Sequence, residues 1–226
     1  MRMKEIDFQF GYELVTQNYK NLWRSAKQAH MNSLYGLACS LNILTAEELI
    51  KRYVIFIKVI SPNAKVVDFE KMFYSHKIKH ENLVEVLEMS IENISKLTFN
   101  ILEGKEEYLS LVPSKYKDDF IKEYEDIERV KNRIEKINRY EIPLNEIYDW
   151  LHNANLQKNL GLYVDLQDNN NWQSPSDIDE EQYKKSSKYL ELLDLYIENA
   201  IDISTQLKEL RIRKEKYAID GYEYLL

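Results

Sequence analysis

Residues that break helices are scarce in this 226-residue chain, which contains only five glycines and four prolines. Both residue types interrupt helices, glycine through its conformational freedom and proline because it lacks a backbone N–H group. Between the breaks, apolar residues recur at every third or fourth position, which is the spacing of one buried helix face. The sequence therefore predicts an all-α fold, a bundle of about five or six long helices in a single domain over residues 1–226.

The breaks also divide the chain into individual helices. The first is predicted over residues 12–30, and a second apolar run covers residues 31–44 of an element that ends at Ser61-Pro62-Asn63. Directly after this run, Thr45 and Glu48 have the spacing of a capping box, which either restarts the helix or lies within one long helix. Further helices are predicted over residues 68–103, 113–140, 143–159 and 179–217, with Gly104 as a stop signal.

One segment differs in character from the predicted helices. Residues 161–175 hold a short extended piece, Gly161 to Leu166, followed by a polar loop that closes on Trp172 and Ser174-Pro175. In one interpretation Leu162 and Val164 pack into the core and the rest is a connection. In the other, the loop is long enough to carry function.

Composition restricts the function classes and the compartment. The net charge of −7 gives no whole-chain sign of nucleic-acid binding, although a local basic face is compatible with it. The single cysteine, Cys39, cannot form an internal disulfide and is interpreted as a packed thiol in a reducing compartment. No secretory h-region and no membrane-spanning run is visible, so a cytoplasmic protein with no membrane association is predicted.

A cluster of charges interrupts the apolar run of the second helix. Glu47 and Glu48 precede Lys51 by four and three residues, so both carboxylates can reach the ammonium group. A surface ion pair is one interpretation. Because the flanking residues are apolar on nearly every face, a cluster turned into a groove or an interface is favoured.

Histidines provide the other candidate chemistry. His76 and His80 are one helical turn apart, a spacing that suits zinc, but the sequence offers no Cys partner and no H-E-x-x-H pattern, so no metal is expected. A solvated helix face is favoured, and a third interpretation is a basic patch of His76, Lys77 and Lys79 that holds a phosphate. The ribonuclease pattern R-x(4–6)-H occurs once, from Arg24 to His30, at a spacing that places the two side chains on different helix faces.

Three pieces of the chain, in this order, resemble the AbiV family of abortive-infection proteins, a branch of the HEPN-like helical superfamily. They are SLYGLACSLNILTAEELIK, FYSHKIKHE and KNLGLYVDLQDNNNWQSP, and the match as a whole covers roughly residues 18–175. The L-Y-V-D segment with its W-x-S-P loop is the most specific part. Ile50 departs from the family pattern, which has glycine there, and no R-x(4–6)-H motif occurs in the late helices. The resemblance implies a HEPN-like multi-helix bundle.

The resemblance also implies a set of site residues. The candidate catalytic cluster is His76 as general acid or base, with Lys51 or Lys79 stabilising negative charge and Glu47 or Glu48 orienting the histidine. The candidate binding residues are Lys158, Asn159, Tyr163, Asp165 and Trp172.

Two functions follow from the resemblance as expectations. One is phage defence by metal-independent RNA cleavage or a block of translation. The other is a non-enzymatic effector that binds a phage or host protein, with Trp172 as an anchor. A homodimer without a cofactor is expected, with a phage-encoded activator protein or RNA as a candidate partner.

Overall fold

The structure is a computed structural model that describes residues 6–64, 69, 73, 102–103, 105–112, 114–137, 144–166 and 171–216. Helices dominate these ranges, and extended structure within them is confined to two strands of two residues each. The all-α prediction is therefore confirmed. The described residues fall into two compact units, the first drawn from residues 1–85 and 142–197 and the second from residues 86–141 and 198–226. The expectation of a single domain over residues 1–226 stays a prediction.

Two long helices form the main part of the first unit. Helix α1 covers Phe8–Met31, and the Asp7 side chain caps it by accepting a hydrogen bond from the Phe10 N–H group at 3.0 Å. A tight turn with Ser33 at φ 58° reverses the chain, and helix α2 follows over Tyr35–Ile60. The two helices pack against each other, and most residues of α2 are buried. The predicted helix over 12–30 is confirmed and is slightly longer than expected.

Helix α2 runs without interruption through Thr45. The Thr45 hydroxyl donates a hydrogen bond to the Leu41 carbonyl at 2.7 Å, which is a bond inside a helix and not a cap. The capping-box interpretation is therefore wrong, and the alternative of one long helix is confirmed. The helix ends at Ser61, as predicted.

The predicted helix over 143–159 is two helices, α5 over Leu144–His152 and α6 over Ala154–Leu162. The break falls at Asn153, whose side-chain amide donates to the Asp149 carbonyl at 2.8 Å while its own N–H group reaches the same oxygen at 3.1 Å. Asparagine competes for backbone groups in this way and favours turns over helix interiors. Gly161 lies in the last turn of α6, so the extended segment begins at Tyr163 and not at Gly161.

The extended segment is half of a small hairpin. Strand β1, Asp165–Leu166, pairs antiparallel with strand β2, Trp172–Gln173, so the end of the predicted polar loop is a strand. A 3₁₀ turn over Pro175–Asp177 follows. Ser174 and Asp177 hold this turn in a reciprocal capping box, in which the Asp177 carboxylate accepts from the Ser174 N–H group at 2.7 Å.

The remaining described elements include those of the second unit. Helix α3 covers Lys105–Leu111, a 3₁₀ turn covers Ser114–Tyr116, and α4 covers Lys117–Ile137, so the predicted start of the charged helix is confirmed. Phe120, Tyr124 and Ile127 form the buried face of α4. The last helix, α7, covers Glu180–Lys216, and its residues up to Ile197 belong to the first unit. Apart from residues 69, 73 and 102–103, the predicted helix over 68–103 lies outside the described residues, and so does the stop at Gly104.

Candidate functional site

A buried ion pair links α2 to α6. The Lys158 Nζ atom lies 3.1 Å from Glu47 Oε1, and the exposed fractions of the two side chains are 8% and 5%. Each side chain is apolar along most of its length and charged at its tip, so burial is tolerated only when the charges meet. The structure thus brings together Glu47 and Lys158, which the sequence analysis had placed in different groups of site residues.

The same two helices approach each other unusually closely around the pair. The Ser40 hydroxyl donates to the Lys158 carbonyl at 2.8 Å, which lies in the middle of α6. A Cβ atom on Gly161 would lie 2.2 Å from the Gly36 carbonyl oxygen, and a Cβ atom on Gly36 would lie 2.4 Å from the Pro175 carbonyl oxygen. Glycine is required at both positions because any side chain would overlap with backbone. Helix α2 therefore holds both ends of the segment that contains the hairpin.

A buried arginine that the sequence analysis missed lies one turn beyond Glu48 on α2. Arg52 donates to the Tyr12 hydroxyl at 2.8 Å, and its guanidinium carbon lies 5.2 Å and 5.4 Å from the ring centres of Tyr12 and Tyr19. Arginine commonly stacks on aromatic faces in this way. The sequence feature that indicates this buried residue is an arginine at the start of the apolar run RYVIFIKVI.

Glu48 and Lys51 form a second, partly buried pair. Their side chains are in direct ionic contact within α2, and each is 13% exposed. The spacing argument for this pair is therefore correct. His76 and Lys79, the proposed partners of these residues, lie outside the described residues, as do Lys77 and His80.

The candidate binding residues of the hairpin lie at the surface. Trp172 is 72% exposed and Tyr163 is 62% exposed, and the adjacent Val164 is 62% exposed, so the core-packing interpretation of Val164 is wrong. Asn159 is exposed and its carbonyl accepts the Tyr163 N–H group at 2.9 Å, which ends α6. Asp165 is exposed and accepts a hydrogen bond from the Leu166 N–H group at 2.9 Å.

His30 is engaged with the start of α7. Its ring stacks on Tyr183 with centroids 4.2 Å apart, and its Nε2 atom lies 3.5 Å from Glu180 Oε1. A hydrogen bond from Lys184 lowers the pKa of Glu180, and His30 adds a smaller contribution in the same direction. Arg24 is exposed on α1. These contacts give His30 a packing role between α1 and α7.

A cavity of about 400 Å³ lies between α5, α6 and α7 in the first unit. Tyr189 donates a hydrogen bond to Glu146 Oε2 at 2.5 Å across it, and the Lys185 Nζ atom lies 3.9 Å from the same carboxylate oxygen. Burial, followed by the bond to Glu146, raises the pKa of Tyr189, and the contact with Tyr189 raises the pKa of Lys185. No local sequence pattern points to this cavity, because its walls come from segments that are distant in the chain: Glu146 and Tyr189 are 43 positions apart, and Cys39 of α2 also lines it.

Two features are absent from the described part of the chain. No group of three or more His, Cys, Asp or Glu side chains there is arranged to hold a metal ion. No described helix combines the length and the apolarity needed to cross a bilayer.

Comparison with models of protein families matches residues 8–194 to the HEPN-type AbiV model. The matched range includes α1, α2, the hairpin and the first part of α7, and hence both members of the buried ion pair. Comparison with curated proteins and with solved structures gave no match.

Proposed function

The chain belongs to the AbiV family of HEPN-like proteins, whose role is abortive infection, and on that premise we propose that it stops phage propagation by binding a protein target. The binding surface in this proposal is the exposed hairpin, with Trp172 as its anchor. The target is a phage-encoded protein or a component of the host translation machinery.

The observation that carries the proposal is the contrast between a buried polar pair and an exposed apolar surface. Glu47 and Lys158 are both more than nine-tenths buried and neutralise each other, so they have a structural role in holding α6 on α2. The hairpin that α6 leads into exposes a large aromatic side chain, Trp172, and Tyr163 at the end of α6 is exposed as well. Tryptophan and tyrosine are the residue types most enriched at the centres of protein interfaces.

Trp172→Ala provides the direct test. Cells that express the wild-type protein should reduce phage yield, and the Trp172→Ala variant should lose most of this protection. An anchor residue at an interface contributes about 2 kcal/mol or more, which corresponds to at least roughly thirtyfold in affinity. Phe10→Ala is a matched control, because Phe10 is also an exposed aromatic residue, 58% exposed, on α1.

Two further measurements in the same cells separate the modes of action. Pulse labelling of new protein reports a block of translation, and RNA sequencing reports new cleavage ends. Protection with intact RNA supports the binding effector. New ends that persist in Trp172→Ala and disappear in His76→Ala would contradict it and support RNA cleavage by the candidate cluster.

The oligomeric state and the compartment belong to the same proposal. We infer a homodimer in the cytoplasm, where a phage or translation partner is accessible. Light scattering behind size-exclusion chromatography should give twice the 27.1 kDa mass of one chain, and a single-chain mass would contradict the dimer.

A further inference from the structure

The face of the hairpin that carries Trp172 is apolar on both strands. Leu166 and Trp172 are directly opposite each other in the antiparallel pair, so their side chains lie on the same face. They are 51% and 72% exposed, and Tyr163 and Val164, which lead into β1, are each 62% exposed. These four exposed side chains, Tyr163, Val164, Leu166 and Trp172, are called the hairpin patch below.

The chain around the hairpin patch carries negative charge and no positive charge. Residues 159–183 contain six acidic residues and no lysine, arginine or histidine. Lys158, which precedes this segment, is buried against Glu47, and Lys184, which follows it, is paired with Glu180. Five of the six acidic residues lie in the described ranges, and all of them are exposed: Asp165, Asp177, Asp179, Glu180 and Glu181.

Three of these carboxylates are held in place without being neutralised. Asp165, in β1, accepts a hydrogen bond from the next N–H group at 2.9 Å. Asp177 accepts from the Ser174 N–H group, directly after β2, at 2.7 Å. Asp179 accepts from the Gln182 N–H group at 2.8 Å. A backbone N–H group satisfies an acceptor oxygen and leaves the charge of the carboxylate unchanged. Within the part of the chain that the structure describes, none of the three has an ion-pair partner.

Fixed negative charge beside an apolar patch restricts the chemistry of the partner. Exposed carboxylates repel phosphate backbones and anionic lipid headgroups, and they attract lysine and arginine side chains. We propose that the hairpin patch docks a basic amphipathic segment of the target protein, in which lysine or arginine residues border apolar side chains. This inference rests on the target binding proposed above and adds the chemistry of the target.

Three synthetic peptides separate the effect of charge from that of apolar contact. KLAKLAKKLAKLAK is basic and amphipathic as a helix, ELAELAEELAELAE reverses its charge, and KSAKSAKKSAKSAK replaces its leucines by serine. Fluorescence anisotropy of each labelled peptide with the full-length protein measures the affinity. The basic amphipathic peptide should bind saturably, and the other two should bind at least about tenfold more weakly. A rise in salt from about 0.05 M to about 0.5 M should weaken its binding, because exposed charges are screened.

Two changes in the protein locate this binding. Trp172→Ala removes the largest side chain of the hairpin patch and should weaken the basic amphipathic peptide by about tenfold or more. A charge variant removes three carboxylates and keeps an acceptor oxygen for each N–H group, so it should weaken the peptide about three- to tenfold and reduce the salt dependence. Its substitutions are Asp165→Asn, Asp177→Asn and Asp179→Asn.

A matched control removes the same net charge at exposed positions outside residues 159–183. Its substitutions are Glu13→Gln, Asp118→Asn and Glu125→Gln. The affinity for the basic amphipathic peptide should stay nearly unchanged in this control, because the attraction is local at about 0.15 M salt. A loss as large as that of the charge variant would contradict the proposal. Thermal melts establish that each variant is folded.

Other outcomes also overturn the proposal. These are no saturable binding of the basic amphipathic peptide up to millimolar concentration, and equal binding of either of the other two peptides. Equally tight binding to phosphatidylglycerol vesicles would assign the hairpin patch to a lipid surface. A dimer that dissociates in Trp172→Ala, measured by light scattering, would assign it to a second copy of this chain.

Phage protection separates this proposal from the function on which it rests. If Trp172→Ala loses protection while the charge variant keeps it and the peptides show no preference for positive charge, target binding stands and the basic target is wrong. If Trp172→Ala keeps full protection, target binding by the hairpin is wrong, whatever the peptides show.

Discussion

Glu47 and Lys158 are residues at which a single substitution has a large expected effect, because both charges are buried. Their side chains are 5% and 8% exposed, and their charged atoms are 3.1 Å apart. Removal of one partner takes the ion pair away from a charge that stays in the interior, whereas removal of both leaves two apolar side chains in an apolar place. The loss of one partner is therefore expected to cost more stability than the intact pair adds.

We expect Lys158→Met to lower the free energy of unfolding by about 3–5 kcal/mol, because the Glu47 carboxylate would lose its ion pair with Lys158 while it stays buried. The double variant Glu47→Leu/Lys158→Met should recover a large part of this loss. Urea denaturation measures both. Lys184→Met is the control: the Lys184 side chain is 66% exposed in its pair with Glu180, so the change in stability should be much smaller. Additive losses in the double variant would contradict the structural role of the pair.

Cys39 gives a pH-dependent prediction. Burial, with a smaller contribution from the Asp179 carboxylate, raises the pKa of the Cys39 thiol from 9.0 to about 12. The folded state thus holds this proton more tightly than the unfolded state does. The stabilisation is complete below pH 9.0 and is lost as the pH rises from 9.0 to about 12.

The free energy of unfolding of the wild type should therefore fall in this window, relative to Cys39→Ala, by roughly 1.4 kcal/mol per pH unit. Denaturation of both proteins at matched pH values measures the difference. Parallel curves for the two proteins would show that the thiol is not protected by burial. Slow reaction of the native thiol with iodoacetamide below pH 9.0 is the companion observation.

At the level of elements, the contact between α2, α6 and the 3₁₀ turn depends on glycine. Gly161 faces the Gly36 carbonyl and the Ser40 hydroxyl, each 2.2 Å from where a Cβ atom would be. Helices can approach this closely only where both lack side chains at the crossing. The register of α6 on α2, and hence the meeting of Lys158 with Glu47, follows from this crossing.

Gly161→Ala should destabilise the protein by about 1–3 kcal/mol or more, because α6 must move away from α2. Gly11→Ala on α1 is the matched control. Its Cβ atom would meet nothing closer than Ile55 Cγ2 at 3.9 Å, so better helix propensity should raise stability by roughly 0.5–1 kcal/mol. Thermal melts of both variants check the opposite signs. Equal effects of the two substitutions would mean that the crossing is not close.

The elements differ in how far the sequence predicts them. Helices α1, α2 and α7 follow from apolar spacing, because their buried faces repeat over many turns. The break at Asn153 does not, since it depends on hydrogen bonds that compete with a helix of otherwise suitable composition. Gly161 resembles a helix stop in its local sequence, yet it lies in the last turn of α6, and the glycine is needed there because the Gly36 backbone, remote in sequence, excludes a side chain.

The candidate site shows the same limit. Spacing along one helix correctly paired Glu48 with Lys51, because residues three apart are neighbours on a helix. No local rule pairs Glu47 with Lys158, which are 111 positions apart. Sequence patterns do not predict the cavity either, since its formation depends on which faces of α5 and α7 meet.

For the whole molecule, the net charge of −7 bears on the choice between a protein target and RNA. Contacts to phosphates supply most of the affinity of non-specific nucleic-acid binding, and an acidic chain repels them. We expect labelled single-stranded RNA to show no rise in fluorescence anisotropy with this protein at about 0.15 M salt. Lysozyme, whose net charge has the opposite sign, serves as the control in the same measurement. A variant of this protein with reversed net charge is therefore unnecessary. Tight binding that weakens steeply with salt would contradict the expectation and favour the RNA-cleaving function.

The anchoring of the hairpin at both ends has a practical consequence for experiments on this protein. Gly161 lies against Gly36 on one side of the hairpin and Pro175 lies against Gly36 on the other, so the ends are already held together. The entropy of loop closure grows only logarithmically, by roughly 0.6 kcal/mol for each doubling of loop length. An affinity peptide inserted between β1 and β2 would therefore leave the helices folded, and it would put a capture handle beside Trp172 without altering the tryptophan itself.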